Sequence, residues 1–93
     1  MNRRTQNRWP QNGTATAFCL AGDRFGELHD LRLFDFSEGG AGTFSRHTIE
    51  PGTVVSLGFQ TSDFLARRGV SVACTPCGKG YRVAFRFEGR LAA

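Results

Sequence analysis

Glu27-Leu28-His29-Asp30-Leu31-Arg32-Leu33-Phe34-Asp35-Phe36-Ser37-Glu38-Gly39-Gly40 is the stretch on which the reading of this chain turns. From Glu27 to Phe36 the residues alternate. Leu28, Asp30, Arg32 and Phe34 fall on one side; His29, Leu31, Leu33 and Asp35 fall on the other. The alternation is imperfect, but no helix-capping residues flank it, so a strand accounts for it better than a helix. Ser37-Glu38-Gly39-Gly40 then reads as a tight loop, because Ser and Gly supply local hydrogen bonds and backbone freedom.

Outward from this stretch the same signals repeat. Thr14–Leu20, Ala41–Arg46, Thr53–Phe59, Gly69–Cys74 and Tyr81–Phe87 all read as strands. The last alternates most cleanly, with Val83, Phe85 and Phe87 opposite Arg82, Ala84 and Arg86. Turns are expected at Ala21–Arg24, at Ile49-Glu50-Pro51-Gly52 and from Pro76 to Gly80. Residues 61–68 read as a loop or a single helical turn. About six short strands and no crossover helix imply an all-β antiparallel sandwich or small barrel. Residues 1–12 have no apolar periodicity and are expected to form a flexible tail on a domain of residues 13–93.

The chain has 93 residues, enough for one domain with a modest core. Its net charge of +4 is unevenly placed. Arg3, Arg4 and Arg8 put three positive charges in the first eight residues, whereas from residue 9 onward nine basic side chains face eight acidic ones. Eleven of the twelve basic residues are Arg, whose planar fork binds phosphate and base edges bidentately. The balanced body argues against a broad nucleic-acid interface, so no DNA or RNA partner is expected. No apolar run approaches the ~20 residues of a membrane span, and the polar N-terminus is unlike a signal peptide. With three Cys, an odd number, the expectation is a cytoplasmic protein without a disulfide framework.

Two patterns carry chemistry. Arg4-Thr5-Gln6-Asn7-Arg8 is an Arg-x-x-x-Arg, with Arg3 just ahead of it. Asp35-Phe36-Ser37-Glu38-Gly39-Gly40 is an Asp-x-Ser-x-x-Gly. In this order, on a small β-rich chain, they resemble the PilZ family of bacterial cyclic di-GMP receptors, and the resemblance runs from Arg3 to about Phe87. It implies a six-stranded antiparallel β-barrel. It also implies that Arg4 and Arg8 contact phosphate and guanine, that Asp35 and Ser37 contact the same ligand from the barrel, and that Gly40 keeps the turn clear. Gly39 stands beside Gly40 and can share that role. In this family an Arg at the position of Arg3 accompanies binding of an intercalated pair of nucleotides. Many members carry a C-terminal helix; with Ala93 so soon after the last expected strand, that helix is expected to be absent or very short.

The resemblance implies a binding module, not an enzyme, that signals to a downstream effector protein by wrapping its tail over the barrel. The alternative is a PilZ-scaffold protein–protein interaction module that does not bind nucleotide. Trp9 either stacks on a guanine or anchors the tail to the barrel's apolar edge. Cys74-Thr75-Pro76-Cys77 has the spacing of half a zinc site or of a redox pair. Zinc would need two more ligands, and Cys19, His29 and His47 lack paired spacing. The pair is therefore read as one packed and one turn cysteine, with no metal and no cofactor expected.

Overall fold

A computed structural model describes residues 9–10, 13–59 and 66–88. Seven strands follow one another: β1 Trp9–Pro10, β2 Thr14–Cys19, β3 Leu28–Phe36, β4 Gly40–Ser45, β5 Val54–Phe59, β6 Arg67–Cys77 and β7 Gly80–Phe87. A 3-10 turn at Gly22–Arg24 links β2 to β3. Every pairing is antiparallel. The sheet runs β1-β3-β2-β5-β6-β7-β4, and an additional β3–β4 pairing closes it. The result is the expected six-stranded barrel, with β1 as a short addition. β1 pairs Trp9 with Phe36 and Pro10 with Asp35, so strand pairing reaches into the stretch assigned to the tail.

Alternation produces the core. Ala15, Ala17 and Cys19 of β2 point inward, as do Val55 and Leu57 of β5 and Val83, Phe85 and Phe87 of β7. Small residues on β2 stand beside larger ones on β3 and β5, Ala15 between Leu31 and Phe59 and Ala17 beside Leu57, which suits the narrow interior of a small barrel. Ile49, from the loop between β4 and β5, is fully buried as well. The buried hydroxyls are satisfied: Thr43 Oγ1 donates to the Val83 carbonyl at 2.9 Å, and Ser45 Oγ donates to the His47 carbonyl at 2.7 Å. The turn expected at Ile49-Glu50-Pro51-Gly52 falls one residue later, at Glu50-Pro51-Gly52-Thr53, closed by the Thr53 N–H on the Glu50 carbonyl, with Gly52 at φ +95 as a type II turn requires.

Two expectations along β6 are corrected. Arg67 and Arg68 do not belong to a loop; they are strand residues paired with Leu57 and Ser56. Pro76 and Cys77 do not belong to a turn, because β6 continues through them opposite Tyr81 and Gly80. β5 pairs with β6 only from Arg67 to Val70, so the later part of β6 has β7 alone as neighbour. There the missing N–H of Pro76 leaves no ladder bond unmade. The assignment of residues 61–65 and of the C-terminal segment after Glu88 lies outside the described residues. Among the described residues no helix is long and apolar enough to cross a membrane.

Candidate functional site

The site begins with an irregularity in β3. Leu33 pairs with Thr43 but Asp35 pairs with Gly42, so Phe34 is an extra residue, a β-bulge. Without it, Asp35 would share the inward face of Leu31 and Leu33. With it, Phe36 takes the core position and Asp35 turns outward, a re-aiming that bulges commonly perform. The Asp35 carboxylate lies over Gly42: a Cβ built on Gly42 would stand 3.1 Å from Asp35 Oδ1. Alternation alone had grouped Asp35 with the inward residues, and the bulge corrects that.

Beyond Phe36 the chain turns back through Ser37–Gly40. The Ser37 N–H donates to the Gly40 carbonyl at 2.9 Å. Ser37 Oγ accepts from the Gly39 N–H at 3.3 Å and donates to the Gly40 carbonyl at 3.4 Å. Both hydroxyl contacts are long, so this group can exchange them for a ligand. The Gly39 carbonyl accepts from the Phe87 N–H at 2.9 Å, which pins the hairpin to β7. Gly40 is tighter still. A Cβ there would lie 2.2 Å from the Phe85 carbonyl oxygen, whereas a Cβ on Gly39 would meet nothing within 4 Å. Close approach of two backbones thus accounts for the motif glycine, and Gly39 lies open to solvent.

The outer face beside Asp35 has a floor and two walls. Asp35, Gly42, Ala84 and Ala73 are register partners across β3, β4, β7 and β6, so three small residues form a flat strip next to the carboxylate. Arg82 and Arg86 stand on β7 either side of Ala84, both exposed. The Arg82 guanidinium sits 4.7 Å from the centre of the Phe34 ring, so the bulged residue holds it near Asp35. Beneath the hairpin, Phe36, Phe59 and Phe87 pack edge-on or tilted with centroids 5.3–6.3 Å apart, and Arg67 lies 4.3 Å from the Phe87 ring centre. A strip floored by Gly and Ala admits a planar ring, the carboxylate accepts hydrogen bonds, and two guanidinium groups bind anions or purine edges.

The structure therefore brings Asp35, Ser37, Gly39 and Gly40 together at one end of the barrel. Arg3, Arg4 and Arg8 lie outside the described residues. Gly42, Arg82 and Arg86 were not singled out from the sequence; the available signal was Arg-x-Ala-x-Arg on the outer face of the most cleanly alternating strand. Cys74 and Cys77 do not converge: three residues apart on a strand they face opposite ways, and Cys74 packs on the core.

The architecture is a closed six-stranded antiparallel β-barrel with an Asp-x-Ser-x-x-Gly hairpin at its rim. The chain belongs to the PilZ domain family, whose model matches residues 2–92. Among solved structures it is similar to the "PilZ domain with c-di-GMP of YcgR from Escherichia coli", with a TM-score of 0.65 and 16% sequence identity over 92% of this chain and 78% of that one. Among the curated proteins nothing matches.

Proposed function

We propose that this chain is a receptor for cyclic di-GMP. The ligand lies on the outer face beside Asp35, and the N-terminal arginines close over it. The observation that carries this reading is the pairing of Trp9 with Phe36 and of Pro10 with Asp35. Arg8 immediately precedes Trp9 in the sequence. The Arg-x-x-x-Arg thus leads directly into the hairpin that holds Asp35 and Ser37. Membership of the PilZ family and the likeness to a YcgR domain solved with c-di-GMP point to the same ligand.

The roles follow from ligand chemistry. Asp35 accepts from the N1–H and N2–H₂ edge of a guanine, and Ser37 donates to or accepts from the same nucleotide. Arg4 and Arg8 take phosphates and the O6/N7 edge. Gly39 leaves the loop open, and Gly40 lets the hairpin sit against β7. Arg3 supplies the further fork that a stacked pair of nucleotides requires. Ordering eight tail residues costs about 8–16 kcal/mol of backbone entropy. Three Arg making two charge-assisted bonds each return about 9–18 kcal/mol. Near balance makes the closure reversible, an order–disorder switch whose covered surface is what a partner protein reads.

Calorimetric titration with cyclic di-GMP, with GTP and GMP as controls, tests the proposal. Saturation near two nucleotides per chain supports both the receptor and the role of Arg3. Saturation near one leaves the receptor and removes the intercalated pair. Absence of binding at several temperatures and in several buffers refutes the receptor and favours the nucleotide-independent interaction module.

A further inference from the structure

The opposite end of the barrel holds a second set of chemistry-bearing side chains that the nucleotide reading does not use. The β2–β3 connection folds back so that the Cys19 N–H donates to the Glu27 carbonyl and the Gly26 N–H to the Cys19 carbonyl, each at 2.9 Å. Two residues further along each strand, Ala17 pairs with His29. Cys19 and His29 therefore share the inner face at the barrel mouth, and Glu27 stands at the rim above them. One ligand atom from each of Cys19, Glu27 and His29 lies within 4.8 Å of the other two. His29 Nε2 and Glu27 Oε1 are already 3.1 Å apart. The Cys19 residue is 1% exposed and the His29 side chain 10% exposed, so neither is a casual surface group. A second imidazole, His47, has its ring centre 6.3 Å from that of His29.

We propose that Cys19, Glu27 and His29 form a binding site for a transition metal, zinc by the character of its ligands, with His47 in the fourth position. Zinc takes thiolate, imidazole and carboxylate together, at about 2.3 Å for sulfur and 2.0–2.2 Å for nitrogen and oxygen. Tetrahedral ligands at those lengths stand roughly 3.3–3.6 Å from one another. The Glu27–His29 spacing is close to this, and Cys19 needs a small inward adjustment. A rotation of the exposed His47 side chain brings the second imidazole to the same point. Arg24 Nε holds Glu27 Oε1 at 3.0 Å. A carboxylate has two oxygens, so Glu27 can keep this bond while ligating, and Arg24 becomes the outer partner that orients it. Burial, with the charge of Glu27 added, pushes the Cys19 thiol up, against the opposing pull of Arg24.

The site was not legible as a motif because its ligands come from two strand ends and a distant loop. Nor does it depend on the nucleotide reading. Asp35 lies six residues along β3 from His29, about 20 Å at strand rise. Bound metal would clamp the β2–β3 connection across the open mouth of the barrel.

The full chain, stripped with a chelator, is titrated with Zn²⁺ and with Co²⁺ as a spectroscopic probe. The expected result is one ion per chain, a tetrahedral Co²⁺ spectrum with a thiolate-to-metal charge-transfer band, and competition between the two metals. E27Q, at the rim, and H29Q should each weaken Zn²⁺ binding by more than about tenfold, judged by what even outer partners contribute. Circular dichroism checks that both variants remain folded. C19S should abolish the charge-transfer band, whereas the double variant C74S/C77S should retain it. Absence of saturable binding, Co²⁺ binding without the band, unchanged affinity in folded H29Q, or loss of the band in C74S/C77S would each overturn the site.

Discussion

Replacing Gly40 by alanine separates a structural role for the motif glycine from a ligand-binding one. The new Cβ would start 2.2 Å from the Phe85 carbonyl oxygen, where separations under 3.0 Å are essentially never tolerated. The obstacle is backbone in the middle of a paired strand, so no side chain can swing away. β4 and β7 must part by about 0.8 Å, about a sixth of the normal strand spacing. That stretches the Phe87 N–H bond to the Gly39 carbonyl, now 2.9 Å, beyond the hydrogen-bonding range. One or two lost ladder bonds cost about 0.5–3 kcal/mol, and overpacking adds about 1–3 kcal/mol. The expected loss is therefore about 1.5–6 kcal/mol, against a total of roughly 5–14 kcal/mol for a domain of this size. Urea denaturation of the ligand-free protein, followed by tryptophan fluorescence and circular dichroism, reads it as a lower midpoint. A shift of at least about 6 °C in melting temperature should accompany it. Gly39→Ala is the control: its Cβ meets nothing within 4 Å, so stability should stay within about 0.5 kcal/mol of the parent. If Gly40→Ala were as stable as Gly39→Ala, the close contact with β7 would not be what makes glycine necessary.

Arg4→Ala and Arg8→Ala should each weaken cyclic di-GMP binding about tenfold or more, since even one lost charge-assisted bond is worth that much, and should leave the melting temperature unchanged. Unchanged affinity in both, measured by calorimetry, would remove the tail from the mechanism. Gly42→Ala should fold normally, because only the end of the Asp35 side chain must yield, yet bind nucleotide more weakly because that carboxylate is displaced. Equal affinity would take Asp35 out of the site. Thr43→Val keeps the shape but removes the bond to the Val83 carbonyl, and should cost about 1 kcal/mol in denaturant unfolding without altering binding.

The barrel was largely legible because its strands alternate and its turns carry glycine and proline. What alternation could not reveal was the extra residue at Phe34: a bulge changes register without changing residue type, so Asp35 read as an inward position. Pro76 misled for a related reason. Proline marks a turn in a strand paired on both sides, but the second half of β6 is paired on one side only, and no local signal says where β5 stops pairing. At the candidate site, Asp35, Ser37 and Gly40 were readable because they lie within six residues of one another. Gly42, Ala84 and the two β7 arginines join them only through cross-strand register, which a single sequence does not state. The same limit hid the convergence of Cys19, Glu27 and His29.

The construction of β3 argues for where a signal can arise. Leu31, Leu33 and Phe36 fix its inner face in the core, and it is hydrogen-bonded to β2 or β1 on one edge and to β4 on the other. A strand held on three sides has no second arrangement of similar energy, so a ligand at Asp35 has little to move inside the barrel. On the receptor reading, the free energy of binding must then appear in the segment that closes over the ligand. The partner would recognise the new outer surface made by that segment with the nucleotide, near Arg82 and Arg86. Substitutions of those two exposed arginines would accordingly weaken nucleotide binding and partner recognition together while leaving the barrel folded, which substitutions of buried β3 residues could not do without first weakening the barrel.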